Sequence, residues 1–96
     1  MPNRITEIIW LDPVVAKLAW KHAVLPNEVE EVLKGRCRIF RWESGTVEGE
    51  DLYNALGETK AGRRLSVFFV RKAVSKALIV TAREMNQRER KRHEKK

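Results

Sequence analysis

The chain closes on Lys76-Ala-Leu-Ile-Val-Thr-Ala-Arg83-Glu-Met-Asn86-Gln-Arg-Glu89-Arg-Lys-Arg-His93-Glu-Lys-Lys. Ala77 to Val80 is an apolar run of strand length and β-branched composition. Asn86, followed three residues later by Glu89, is a helix-start signal, so the basic end reads as a helix. Arg83 falls at the junction, directly after the strand. A buried strand can hold such an arginine in a fixed place, and a free tail cannot. The expectation is that the rest of the domain sets Arg83 and the basic helix against a phosphate backbone, RNA foremost. The helix cannot stand alone, since its length of about ten residues is below the ~12–15 needed for marginal stability in water. Pairs such as Arg90–Glu94 and Glu89–Arg92 would add only a few tenths of a kcal/mol. It must dock through Met85 and the stems of Arg88 or Arg92, or order only on binding.

Upstream of the last strand, the alternation and the turn residues fall into place. Leu65 to Val70 is the most apolar run and reads as the central strand. Lys72 to Ser75 turns the chain into the last strand, Lys76 to Thr81. Lys60-Ala61-Gly62-Arg63 is a hairpin turn, with Gly62 where a positive φ is needed. Asp51 to Leu56 is a strand, with Leu52, Asn54 and Leu56 opposing Tyr53 and Ala55. Cys37 to Trp42 is another, with Cys37, Ile39 and Arg41 on one side and Arg38, Phe40 and Trp42 on the other. Glu43 to Gly49 is a turn or loop. Pro26 opens a helix to about Lys34 that Gly35 closes, with Val29, Val32 and Leu33 as its apolar stripe. Its early acids, Glu28, Glu30 and Glu31, suit the helix dipole and need no catalytic role. Asp12-Pro13 starts an earlier helix, to about His22, with Asp12 as its cap. Ile5, Ile8, Ile9 and Trp10 make a short edge strand. The pattern is an α+β sandwich with helices on one sheet face: two N-terminal helices on a four-stranded antiparallel meander, a short N-terminal strand and a C-terminal basic helix.

Ninety-six residues read as a single domain, residues 1–96, able to bury roughly 60–65% of its unfolded surface. The net charge is +7. Residues 83–96 hold seven Lys/Arg and three Glu, and residues 1–82 hold thirteen Lys/Arg and ten Asp/Glu. The excess is therefore gathered at the C-terminus, which points to a polyanion partner, although a charged terminus taken alone fits a solubilising tail equally well. That tail has no apolar face to insert into a membrane, and no run reaches the ~18 apolar residues of a membrane span. A single cysteine, Cys37, excludes an internal disulfide and any cysteine-based zinc site, and fits a small hydrophobe in a reducing, cytoplasmic compartment.

Leu-Gly-Glu-Thr-Lys-Ala-Gly-Arg-Arg-Leu over residues 56–65, Val-Thr-Ala-Arg-Glu-Met over 80–85, and Glu89-Arg90 resemble the BrnT family of bacterial toxins. Trp10, Lys21-His22 and Pro-Asn-Glu-Val-Glu-Glu-Val-Leu over 26–33 fit the same family in the same order. The likeness covers nearly the whole chain; no single motif is diagnostic, and the ordered set is what carries it. It implies a RelE-like fold and a type II toxin that cuts messenger RNA, with or without the ribosome, and arrests translation and growth. It also implies a cognate BrnA-like antitoxin, a toxin–antitoxin heterotetramer, and DNA contact only through that antitoxin. The chain departs from the family at Ala23, where glycine is usual after Lys-His, at Leu25, where Ser or Thr caps the next helix, and at His93, where the last motif usually ends on tyrosine. The first two should cost roughly 0.5–1 kcal/mol each.

Metal-independent RNA cleavage uses the substrate's own 2′-hydroxyl as nucleophile. Fixed cations must stabilise the charge that gathers on the phosphoryl oxygens, and a His, Glu, Lys or Tyr must handle protons. Arg83 and Arg64 are the candidates for the first need; His22, with Lys21 or Glu58, for the second. Either Arg63 or Arg64 could be the inward one of its pair, because alternation sends neighbours to opposite faces. Trp10, Tyr53, Arg63, Arg88, Arg90, Lys91, Arg92 and His93 are the candidates for contact with RNA. Taken singly, most have plain structural readings: Trp10 as core, His22 as the helix C-cap, Glu58 as a partner of Arg64. Two histidines are too few for a zinc site. With no phosphate-binding glycine loop and no nucleophile elbow, neither metal nor cofactor is expected. The rival reading is a non-catalytic nucleic-acid-binding or interaction module of the same fold.

Overall fold

The computed structural model describes residues 5–43, 51–73 and 75–94. It runs β1 (Glu7–Ile9), α1 (Asp12–Lys17) continuing as a π-helical turn (Leu18–His22), α2 (Pro26–Lys34), β2 (Cys37–Glu43), β3 (Leu52–Glu58), β4 (Arg64–Ala73), β5 (Lys76–Glu84) and α3 (Gln87–Glu94). The loop expected between Glu43 and Gly49 lies outside the described residues except for Glu43, which ends β2.

Strands β2 to β5 form the expected antiparallel meander. The sheet nevertheless has five strands, in the order β1-β5-β4-β3-β2, and is mixed. β1 pairs with β5 in parallel, Glu7 beside Lys76 and Ile9 beside Leu78. The reason is the crossover: α1 and α2 carry the chain across one face, from one edge of the sheet to the other, and a parallel pair requires a connection of that kind. β4 is the middle strand. β4 and β5 both outrun their expected limits, because the ladder continues past irregularities at Phe68/Phe69 and Arg71/Ala73 to Ser66 opposite Arg83 and Leu65 opposite Glu84. Arg83 therefore sits within the last strand rather than after it.

The face beneath α1 and α2 is the main core. Leu65, Val67 and Phe69 of β4, Ala55 of β3, and Ala77, Ile79 and Ala82 of β5 pack there against Leu18, Val24, Val29, Val32 and Leu33. Each large side chain buried in this layer contributes about 1.5–3 kcal/mol. Cys37 packs on its margin, and burial pushes its thiol pKa up from 9.0 to about 11. It thus stays a protonated small hydrophobe.

The helix ends depart from expectation in informative ways. Asp12 is the first helical residue, and Leu11 takes the cap position without a side-chain bond. Ala23 closes the π-helical turn in the left-handed region, with φ 53°, a conformation that costs a non-glycine residue roughly 1 kcal/mol. Leu25 has no oxygen with which to cap α2, yet Glu28 reaches back to accept from the Leu25 N–H at 3.0 Å. Gly35 ends α2 in extended backbone, not a left-handed one. A Cβ there would lie 2.8 Å from the Glu31 carbonyl oxygen, so close approach explains the glycine. Gly62, with φ +90°, supplies the positive φ of the β3–β4 hairpin.

Arg63 ties this side of the molecule together. Its Nη1 donates to Ala23 O at 2.7 Å and to Glu28 Oε1 at 3.0 Å. Its Nη2 donates to His22 O at 3.3 Å and its Nε to Glu84 Oε2 at 3.0 Å. Burial alone would make the guanidinium easier to deprotonate, but the Glu84 and Glu28 carboxylates outweigh it and hold the group firmly charged.

Candidate functional site

Strand alternation sends a second set of residues to the opposite face. Asn54 pairs with Phe68, Leu56 with Ser66, and Ser66 with Arg83; on the edge strand, Phe40 stands beside Asn54 and Arg38 beside Leu56. Helix α3 lies over this face, so the helices cover both sides of the sheet rather than one. The Arg92 guanidinium sits 3.9 Å from the centre of the Phe40 ring, and Arg38 Nη1 donates to Arg92 O at 3.4 Å. Met85, 4% exposed, anchors the link from β5.

Glu89 is the fastener. It is 7% exposed and accepts four hydrogen bonds. Arg83 grips it end-on, Nη1 to Oε1 at 2.6 Å and Nη2 to Oε2 at 2.9 Å. The Ser66 hydroxyl donates to Oε2 at 3.0 Å, and the Asn86 N–H donates to Oε1 at 3.0 Å. Asn86 Oδ1 accepts from the Glu89 N–H at 2.8 Å, completing a reciprocal helix cap. Behind Ser66, Asn54 Nδ2 donates to its Oγ at 2.8 Å and to Val67 O at 3.3 Å. Burial by itself would raise the Glu89 pKa; the Arg83, Asn86 and Ser66 hydrogen bonds and the Arg83 charge together hold it below its ordinary value. The acids of α3 thus do not pair along the helix as expected. Glu89 is taken by Arg83, and Glu94 by Arg64 at 2.8 Å, because the sheet presents arginines at the helix's underside.

Between α3 and the sheet lies a cleft of about 230 Å³. Arg83, Arg88 and Arg92 line it together with Trp42, and Asn54, Asn86 and Glu89 complete its wall. Arg83 also stacks over Phe68, 5.5 Å from the ring centre. Its Nη1 reaches Glu84 O at 3.3 Å. Its Nε–H and one Nη2 hydrogen carry no hydrogen-bond partner among the described residues. Those two donors form a fork suited to bidentate contact with a phosphate. The cleft can therefore hold and partly neutralise a phosphodiester. Its one carboxylate, Glu89, is held ionised by Arg83 and is a weak proton acceptor in that state.

Of the candidates named from sequence, Arg83, Arg88 and Arg92 come together here. Arg64 shares the sheet face but not the cleft. It pairs with Glu58 at 3.3 Å as well as with Glu94, and with Arg63, Arg90 and Glu84 it lines a separate groove of about 330 Å³ by the hairpin. Lys91 is exposed on the helix. His93 is half-buried, does not line the cleft, and its buried Nδ1 finds no hydrogen-bond partner among the described residues. The structure does not bring Trp10, Lys21, His22, Tyr53 or Arg63 to this cleft. Trp10 packs on the main core and donates from Nε1 to Glu30 Oε2 at 3.4 Å. Tyr53 stacks on Phe69 with ring centres 5.8 Å apart, because β3 alternation sends it opposite to Asn54. Lys21 and His22 belong to the π-helical turn that covers the main core, and Arg63 is occupied beneath that turn.

Trp42, Asn54, Ser66 and Asn86 are not among those candidates, and for Glu89 the sequence offered a helix cap, a pair with Arg92 and a place in the family likeness, not a place in the cleft. Signals for them existed. Asn54 and Ser66 interrupt otherwise apolar strands, and buried polar side chains require partners. Phe40 and Trp42 alternate onto one side of an edge strand.

Among the described residues no group of three or more His, Cys, Asp and Glu could hold a metal ion, and no helix is long and apolar enough to cross a membrane. No protein-family model matches the sequence, and no curated protein matches it. Among solved structures, the chain is similar to the crystal structure of the Brucella abortus ribonuclease toxin BrnT. The TM-score is 0.61 at 20% sequence identity, over 85% of this chain and 100% of that one. At that identity the likeness is one of fold: the chain has a BrnT-like α+β fold.

Proposed function

We propose that the chain is the toxin of a type II toxin–antitoxin pair, a RelE-like, metal-independent endoribonuclease that cuts messenger RNA in the cytoplasm and arrests growth. The observation that carries this reading is the convergence of Arg83, Arg88 and Arg92 on one cleft. The likeness of fold to a ribonuclease toxin supports it, as does the gathering of positive charge at the C-terminus. A BrnA-like antitoxin is the expected partner, in a heterotetramer that touches DNA only through the antitoxin.

In this reading the open fork of Arg83 takes the scissile phosphate, while Arg88 and Arg92 hold its neighbours. The substrate's 2′-oxygen attacks phosphorus, and the bond from phosphorus to the 5′-oxygen breaks, leaving a 2′,3′-cyclic phosphate and a 5′-hydroxyl. The 2′ proton leaves to water, and the departing oxygen takes one from water. Fixed cations aimed at the developing charge are worth about 10²–10³ in rate. Lys21, His22 and Glu58 do not line the cleft, and that favours a second reading, a nucleic-acid-binding module without catalysis.

Purified protein incubated with single-stranded RNA, with and without EDTA, separates the two. Cleavage that persists with chelator and disappears in Arg83→Ala supports the ribonuclease. Salt-sensitive binding without cleavage supports the module.

A further inference from the structure

We infer that Trp42 is a nucleobase platform, which makes unpaired RNA the substrate class of the cleft. The inference rests on the reading of the cleft as an RNA site. Trp42 is 50% exposed and lines the same cleft as Arg83. It is fixed there by Phe68, with ring centres 5.1 Å apart and planes at 88°. An edge-to-face contact anchors an indole without covering both of its faces. Phe68 also lies under the Arg83 guanidinium. One buried ring therefore holds the phosphate fork on one side and an exposed aromatic on the other.

The other tryptophans make the contrast. Trp20 is 77% exposed but has no ring contact among the described residues and stands on the side covered by α1 and α2. Trp10 is half-buried and hydrogen-bonded to Glu30. Trp42 alone combines exposure, a rigid mount and arginine neighbours. A cationic wall beside an aromatic surface is the arrangement that binds single strands, because every base offers a π-face to stack. A base in a duplex has that face covered by its neighbours, so stacking on Trp42 selects bases already out of a helix. Arg92 on Phe40 extends the same wall along the edge strand.

The test uses a fully 2′-O-methylated RNA decamer, which lacks the nucleophile and cannot be cut, and its duplex. The wild type is expected to bind the single strand with quenching of tryptophan fluorescence, and to bind the duplex at least about tenfold more weakly. Trp42→Ala should lose about tenfold in affinity for the single strand, and Trp42→Phe should keep most of it. Circular dichroism confirms that each variant is folded, and Trp42→Phe carries the test if the alanine variant is not. Unchanged single-strand affinity in Trp42→Ala, an affinity in Trp42→Phe as low as that of a non-stacking surface, or equal binding of the duplex overturns the platform, while cleavage of ordinary RNA by the same protein leaves the ribonuclease standing. Neither binding nor cleavage by the wild type overturns both.

Discussion

The two faces of the sheet are held in different ways. The face under α1 and α2 is closed by apolar packing, with Leu65, Val67 and Phe69 all fully buried, and its one cationic hub, Arg63, has every nitrogen engaged. The face under α3 is closed by a polar chain, Asn54 to Ser66 to Glu89 to Arg83. Apolar packing is non-directional and tolerates approximate fit. A polar chain stabilises less than apolar packing, but it fixes orientation. One face therefore supplies stability, and the other fixes the orientation of a guanidinium.

Phe69→Ala should break the first face most severely, with a loss of about 3–5 kcal/mol read by urea denaturation, while the fraction that stays folded keeps its affinity for RNA. Arg83→Ala should do the reverse: RNA cleavage falls by about 10²–10³, with a smaller loss of stability because the pair is partly solvated. Arg63→Ala leaves the His22 and Ala23 carbonyls and Glu28 without their donor and should cost about 2 kcal/mol. Its melting temperature falls, and its affinity for RNA stays near that of the wild type.

Acid sharpens the contrast further. The folded-state pKa of Glu89 lies below its ordinary value of 4.5. Its contribution is therefore complete above that value and is lost as pH falls through the depressed one. Glu89→Gln should flatten this part of the stability profile, seen in melting temperatures collected below about pH 4.5. The smallest effect is expected at Lys21, which is exposed on the far side of the sheet. Lys21→Ala should change neither cleavage nor melting by more than about 0.5 kcal/mol.

Much of the architecture was legible because it is written in short periods. Alternation in Cys37–Trp42 placed Phe40 and Trp42 together, Gly62 marked the hairpin, and Asn86 with Glu89 marked the start of α3 to the residue. The parallel pairing of β1 was not legible, since three residues carry no directional signal and their partner lies at the other end of the chain. Nor was the face chosen by α3, because its docking rests on single contacts of Glu89 and Arg92 rather than on an apolar stripe. Arg83 stood out by its place at the end of a strand. Lys21 and His22 drew attention through residue type, a helix-end position and the resemblance, and their backbone belongs to the layer away from the cleft.

The position of β5 has a consequence for synthesis. It lies between β1 and β4, so Glu7–Ile9, made first, can find no neighbour until Lys76–Leu78 has been made. The arginine fork comes later still, with Arg83 and its partner Glu89. A nascent chain tethered to its ribosome would thus lack both the completed sheet and the fork until β5 and α3 have been made.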